Sequence, residues 1–294
     1  MNFRNCTPIK NWLEFSVMSL LILASAGMAT ASPAPSAPFE SLKSKLIADG
    51  FPAEKIKTLY AHPDTQFDAK GVSLFFVHSE SKLNYNQFSS EKSLASARKY
   101  MATHAGELAS AQKNYGVDKT IITAIILVET RLGTFLGKRS IFNTLSTIAA
   151  LETAEARERL WNGIASSKRF TREDFDARAD KKSKWAYDEL KAFLTFTEKQ
   201  QMDPAGIYGS YAGALGIAQF MPSNLLTLAR DGDNDGRINL FTHADAITSI
   251  ANFLRHYGWR PDIPRQKARK VLFRYNQSNY YVDTLLKISD LLKG

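Results

Sequence analysis

Four glycines punctuate this chain. Gly50, Gly116, Gly133 and Gly258 each close a stretch in which apolar residues recur at helical spacing, the place where a residue with left-handed backbone ends a helix. Helical patterns of this kind run over residues 39–49, 93–115, 118–132, 141–166, 185–200, 245–257 and 279–292. The one stretch with strand character is 71–78 (GVSLFFVH), rich in β-branched and aromatic residues. The basic, polar segment 167–184 reads as a solvated surface connection, and no internal repeat is visible. With 44% hydrophobic residues the chain has the composition of a globular protein. A mainly α fold is expected.

The first residues have the layout of an export signal. Arg4 and Lys10 precede an apolar run from Phe15 to Met28, which ends in Ala29-Thr30-Ala31, a small-x-small pattern suited to a signal peptidase. The run is short for a membrane span, although a retained N-terminal anchor is the alternative. The only cysteine, Cys6, lies before the run and not at its end, so a lipid-modified terminus is not expected. The expected organisation is a signal peptide over 1–31, a Pro-rich linker over 32–38 and a periplasmic mature chain. Losing Arg4, Lys10 and Glu14 would take the formal charge from +9 to +8. Positive charge steers a protein toward polyanions, and export makes nucleic acid the least fitting of these beside anionic lipid or a carboxylate-rich wall polymer.

Three segments carry chemistry. In 118–133 (DKTIITAIILVETRLG) Asp118 can cap a very apolar helix and Gly133 can end it. Glu129 then falls in the last turn, where apolar neighbours and the negative helix end both favour a protonated carboxyl. Such a group suits a general acid for a glycosidic oxygen; the alternative is an exposed helix-end glutamate paired with Arg131 or Lys138. In 208–223 (YGSYAGALGIAQFMPS) Gly209, Gly213 and Gly216 allow close backbone approach, and Ser210 and Gln219 offer groups that grip sugar hydroxyls and acetamides. A tight packing turn reads equally well, and the spacing matches neither phosphate-binding glycine motif.

The third segment, 231–240 (DGDNDGRINL), places Asp231, Asp233 and Asp235 at positions 1, 3 and 5 of an EF-hand calcium loop, with Gly236 at 6 and Asn239 at 9. Position 12 departs, since Thr242 stands there instead of glutamate and the next acid is Asp245. An acidic turn with Asp245 as a helix cap is the alternative. A lone loop of this kind argues for a structural ion and against a calcium switch.

Val128-Glu129-Thr130-Arg131 with Gly133, then Gly137-Lys138, then residues 209–216 running into 219–223, resemble the lytic murein transglycosylase B family (glycoside hydrolase family 103). Residues 231–240, Asp245-Ala246-Ile247, Gly258-Trp259 and Arg274-Tyr275-Asn276-Gln277-Ser278 continue the resemblance in order, over roughly 83–281. It implies a lysozyme-like catalytic core over 117–260 with the calcium loop at 231–245. A helical region at 39–116 and a C-terminal helical segment at 261–294, which completes the cleft, would flank that core. It makes Glu129 the catalytic acid and base, and Ser210, Gln219, Tyr275, Asn276 and Tyr281 substrate-binding residues. Asp231, Asp233, Asp235, the Arg237 carbonyl and Asp245 become the ligands of a structural Ca2+. The partner implied is the peptidoglycan glycan strand, with no nucleic acid and no stable membrane anchor.

The implied reaction cuts the β-1,4 bond between N-acetylmuramic acid and N-acetylglucosamine and leaves a 1,6-anhydro end. A non-catalytic wall-binding protein and a hydrolytic muramidase are the alternatives. Tyr275, Tyr281 and Phe220 can stack on sugar faces or pack in the core. Several departures stand out. Leu132 replaces a family tryptophan, Phe253 a tyrosine, and Ala154 and Glu155 stand in place of an arginine pair for which Arg157 or Arg159 can substitute. The short stretch from Trp259 to Tyr275 leaves no room for the small β domain that the family often carries there.

Overall fold

The computed structural model describes residues 37–77, 84–164 and 171–294. The export signal, its cleavage site and most of the linker lie outside these residues. The described chain is mainly α. Its helices are α1 (Glu40–Ala48), α2 (Ala53–Ala61), α3 (Ala69–Val77), α4 (Glu91–Thr103), α5 (Ala105–Tyr115), α6 (Lys119–Thr130), α7 (Ile141–Ala150), α8 (Ala154–Ile164), α9 (Arg172–Lys199), α10 (Pro222–Leu228), α11 (His243–His256), α12 (Arg265–Tyr275) and α13 (Asn279–Lys293). The β structure among the described residues is one antiparallel pair, β1 (Arg139–Ser140) with β2 (Tyr208–Gly209), in which Arg139 faces Gly209.

Helix α6 is the spine of the site. Its residues from Thr120 to Leu127 are all buried, although Ile and Thr are stiff, mediocre helix formers. A helix that is apolar all round is stable only when neighbours cover every face, and α4, α5, α11 and α13 do so. Ile121, Ile122, Ile125 and Ile126 are each at most 1% exposed, worth about 1.5–3 kcal/mol apiece in burial. Asp118 holds the N-cap position but its side chain accepts no capping hydrogen bond: its carboxylate pairs with Lys293 at 2.8 Å instead, correcting the expected role. The helix ends in two left-handed residues, Arg131 (φ 50°) and Leu132 (φ 62°), before Gly133.

Helix α13 lies antiparallel along α6, pinned at three points. Lys293 meets Asp118 at one end, the Thr120 and Ser289 hydroxyls share a hydrogen bond of 2.8 Å in the middle, and Tyr281 meets Glu129 at the other end. From Asp118 to Glu129 a helix rises about 16 Å at 1.5 Å per residue, and Tyr281 to Lys293 about 18 Å. The registers therefore match, and they carry a side chain near the C-terminus to one near position 130. One hydrophobic core draws on residues from Phe39 to Ile288, so the three helical stretches pack as one body.

Further sequence expectations need correction. Residues 71–77 are helical, not a strand, while His78 lies outside the described residues. The Asp68 carboxylate accepts from the Gly71 amide at 2.8 Å, and Arg139 holds Asp68 in place at 3.3 Å, which starts a helix there. Val72 and Phe76, four residues apart, then bury one face against α7 and α8. Tertiary burial outweighs β-propensity. The segment 167–184 is also no solvated connection over its described part, since α9 starts at Arg172 under a capping box between Thr171 and Asp174. Phe175, Ala179 and Ser183 are buried at i, i+4, i+8 spacing, a stripe hidden by the surrounding charges. The long patterns 93–115 and 141–166 each break in two, at His104 and at Leu151–Thr153, into α4 and α5 and into α7 and α8.

Candidate active site and acidic loop

Glu129 is half-buried in the last turn of α6. The Tyr281 hydroxyl donates to its Oε1 at 2.6 Å, a short bond of the charge-assisted kind. Tyr281 is 1% exposed, and burial is the largest cause that pushes its phenol well above the ordinary tyrosine range, with the nearby Glu129 charge adding to it. It therefore remains a donor at any physiological pH. Tyr275 stacks on Tyr281 with ring centroids 6.5 Å apart, and its hydroxyl donates to the Ala218 carbonyl at 2.6 Å. Burial, then the Glu129 charge, raises Tyr275 as well. Phe253 and Phe220 close the cluster at 4.8 and 5.9 Å from the Tyr275 ring. Phe220 is 2% exposed, so its faces lie in the core, and Tyr281 reaches the site through its hydroxyl.

The glycine-rich segment forms a tight turn against the end of α6. Ser210 Oγ accepts from the amides of Ala214 (3.0 Å) and Ala212 (3.3 Å), which folds residues 210–214 around its hydroxyl. Gln219, in left-handed backbone at φ 49°, donates its amide to the carbonyls of Gly216 (2.8 Å) and Leu136 (3.3 Å). Gly137 shows why small residues sit here. A Cβ on it would lie 1.9 Å from the Gly209 carbonyl oxygen, so β1 and β2 approach only with hydrogen at that position. Asn276, half-buried, ends α12 in extended backbone between Tyr275 and the α13 cap Ser278.

Three residues that the sequence did not single out help to build the site. Thr130, fully buried, donates from Oγ1 to the Ile217 carbonyl (3.1 Å) and accepts from the Gly133 amide (3.1 Å), which ties the residue beside Glu129 to the glycine turn. Tyr85, in a short 3-10 helix, is near enough to Tyr281 to raise its pKa further. Glu189 on α9 accepts from the Ser223 amide and hydroxyl, both at 2.8 Å, and so anchors the start of α10. Burial, the largest effect, raises the Glu189 pKa against those two bonds. Only the i, i+3 and i, i+4 burial pattern of α9 hints at Glu189, because its partner lies 34 residues away. Of the two arginines offered in place of the family's pair, Arg157 bonds the Leu151 carbonyl (2.6 Å) and Asp180, and Arg159 lies over the Phe67 ring.

The acidic loop gathers Asp231, Asp233 and Asp245, whose carboxylate oxygens lie within 4.8 Å of one another. Ligands of one calcium ion at 2.3–2.6 Å can stand up to roughly 5 Å apart, so this group fits such an ion. Asp235 is outside the group and accepts from the Arg237 amide at 2.8 Å. Asp245 is 2% exposed and accepts from the amides of Gly232 (2.7 Å) and Asn239 (2.6 Å). Each of its oxygens keeps a further lone pair for a cation. Burial raises its pKa most, Asp233 and Asp231 add to the rise, and the two amides oppose it. For Asp231 burial acts upward, but the amides of Gly236, Asn234 and Asp235 outweigh it and hold the carboxyl below its ordinary range. Thr242, the residue at position 12, caps α11.

Among known proteins, the profile of the transglycosylase SLT domain matches residues 35–270. Membrane-bound lytic murein transglycosylase B of Escherichia coli (strain K12) is 36% identical over 145 residues, which cover 49% of this chain and 33% of that protein. The chain thus spans about a third of that relative's length. The soluble lytic transglycosylase SltB1 from Pseudomonas aeruginosa superposes with a TM-score of 0.69 at 24% identity, covering 86% of this chain and 97% of that one. The Escherichia coli lytic transglycosylase SLT35, solved in complex with calcium, gives 0.69 at 22% identity over 87% and 93%. SltB3 from Pseudomonas aeruginosa, in complex with NAG-NAM-pentapeptide, gives 0.69 at 18% identity over 87% and 80%. At these identities the structures establish a shared fold. The profile runs through α6 with Glu129, the glycine turn and the acidic loop, and the chain belongs to the transglycosylase SLT domain family.

Proposed function

We propose that this protein is a periplasmic peptidoglycan lytic transglycosylase, which cuts the β-1,4 bond from N-acetylmuramic acid to N-acetylglucosamine and leaves a 1,6-anhydromuramic acid end. The observation that carries the reading is the bond from the buried Tyr281 hydroxyl to Glu129 Oε1. The Tyr281 hydroxyl fixes the carboxyl through Oε1, and Glu129 so held protonates the oxygen of the leaving sugar. The same carboxyl group then takes the proton from the C6 hydroxyl of the muramic acid, and O6 closes on C1. Holding that hydroxyl beside C1 makes the second step intramolecular, with an advantage over bulk water. The sugar's own acetamido group stabilises positive charge at C1, so one carboxyl suffices where most glycosidases use two. Ser210, Gln219, Tyr275 and Asn276 shape the cleft, and SltB3, solved with a muramyl pentapeptide ligand, is a fold neighbour that supports the substrate class.

The acidic loop fits a structural calcium ion held by Asp231, Asp233 and Asp245, with Asp235 and the Arg237 carbonyl completing its shell. SLT35, a fold neighbour solved with calcium, supports this assignment. No described helix is long and apolar enough to cross a membrane, and the Ala29-Thr30-Ala31 pattern supports export. Glu129→Gln tests the central role. It should keep the wild-type melting temperature and bind glycan strands while turnover falls by about 10²–10⁴, the usual range for general acid–base catalysis. Wild-type turnover in that variant would remove Glu129 from the mechanism.

A further inference from the structure

The turn that ends α6 is held in an uncommon backbone. Arg131 (φ 50°), Leu132 (φ 62°) and Gly133 (φ 83°) are left-handed in succession, although residues with a Cβ rarely enter that region. Such a conformation persists only where its surroundings enforce it, and it gathers at functional sites. Inside the turn the Arg131 and Leu132 amides donate back to the Leu127 and Ile126 carbonyls at 3.0 and 3.1 Å, which closes the last turn of α6 around Glu129. From outside, His243 bears on it. A Cβ built on Gly133 would stand 2.9 Å from His243 Cε1 and 3.4 Å from Nε2, so the imidazole edge fills the space where any other residue would put its side chain. Gly133 is thus required twice, for its dihedral and for its missing side chain.

The imidazole is itself fixed. His243 opens α11, and its Nδ1 shares a hydrogen bond of 3.0 Å with the hydroxyl of Tyr100 on α4. Tyr100 is 6% exposed, and its ring meets the His243 ring edge-on at 5.3 Å. His104, where α4 gives way to α5, packs on the same imidazole at 4.3 Å between ring centroids. One ring therefore joins α4, α5 and α11 to the turn that follows Glu129. We infer that His243, anchored by Tyr100, is a positioning residue for Glu129, a reading that rests on the function proposed above. It wedges the left-handed turn so that α6 ends with its carboxyl on the Tyr281 hydroxyl. Its contacts are with Gly133, Tyr100 and His104, so it acts through the turn. Without the wedge, Arg131 and Leu132 are free to relax toward right-handed backbone, and the last helical turn shifts with them. A displacement of about 1 Å in a catalytic group is enough to cost about 100-fold in rate.

The test compares His243→Ala, His243→Phe and Tyr100→Phe with the wild-type chain on soluble glycan strands. His243→Ala should lower kcat about 10–100-fold, with KM and strand affinity unchanged. His243→Phe keeps a flat ring against Gly133 and should recover most of the loss. Tyr100→Phe frees the imidazole without removing it and should cost about twofold to tenfold, the range of one neutral hydrogen bond. Amide hydrogen exchange supplies a readout independent of turnover. In His243→Ala the amides of residues 131–133 should exchange faster, while those of 121–127 keep wild-type protection. Wild-type kcat in His243→Ala, or unaltered exchange in the turn, overturns the inference. So does a fall in kcat in which every amide of α6 exchanges faster and His243→Phe recovers nothing, because His243 would then serve the stability of the fold alone. Should His243→Ala fail to fold, Tyr100→Phe carries both readouts, and full activity with wild-type exchange in that variant overturns the inference. Faster exchange in the turn of a protein that releases no anhydro products would leave the wedge standing and remove the lytic reading.

Discussion

At the scale of single residues the account turns on one bond. Tyr281 supplies Glu129 with a donor that never titrates in the working range, because burial and the carboxylate both hold its proton. Tyr281→Phe removes that hydroxyl at little cost in volume. A hydrogen bond to a charged group contributes about 1.5–3 kcal/mol, so turnover should fall roughly 10–150-fold while strand binding changes little. Steady-state kinetics on soluble glycan strands check this, and an equal loss in affinity would make Tyr281 a binding residue only. Glu129 itself is legible in the sequence, since the apolar run and Gly133 place it in the last turn of a buried helix. Tyr281 enters the sequence reading only through the family resemblance, because 152 residues separate it from its partner. Thr130 lies inside a legible motif, yet its role is not legible there, because a threonine gives no sign of where its hydroxyl points.

At the scale of elements, the acidic loop and α6 are joined by a short relay. Asn239 donates to Asp245, Ile217 donates to the Leu240 carbonyl at 2.8 Å, and Thr130 donates to the Ile217 carbonyl at 3.1 Å. Calcium at a hundredfold excess over its dissociation constant stabilises the folded state by about 2.7 kcal/mol. For a domain of this size that is roughly 5–10 °C in melting temperature, at 2–4 °C per kcal/mol. Differential scanning calorimetry should show that rise with calcium and its loss with chelator, and Asp233→Ala should abolish the response. Identical curves with calcium and chelator would mean that the loop holds no ion. A second element is anchored without metal. Glu189→Ala strands the Ser223 amide at the start of α10 and should cost about 1–3 kcal/mol, read as a shift of the urea midpoint at constant slope. A shift within about 0.5 kcal/mol, the usual range for surface substitutions, would make the anchor dispensable. Elements were read well where periodicity and glycine caps agree, as in α1, α6 and α11. Periodicity misleads at α3 and at the start of α9, where a carboxylate cap and a long-range apolar stripe decide the outcome.

At the scale of the whole molecule, one core runs from Phe39 to Ile288, and its consequence is positional. The antiparallel registration of α13 on α6, from Lys293 and Asp118 to Tyr281 and Glu129, brings a side chain of the last helix to the carboxyl of Glu129. Helical patterning conveyed the class of the fold, but no local signal conveys that registration, since it is set by packing across the molecule. The proposed mechanism, with Glu129 as its one carboxyl, has the muramic acid C6 hydroxyl and not water attack C1. Digestion of purified peptidoglycan in 18O-enriched water, followed by mass analysis of the released muropeptides, tests this most directly. The account predicts products that end in 1,6-anhydromuramic acid, lighter by one water than hydrolytic products and free of label at the cleaved end. Reducing-end muramic acid carrying 18O at C1 as the main product would contradict it.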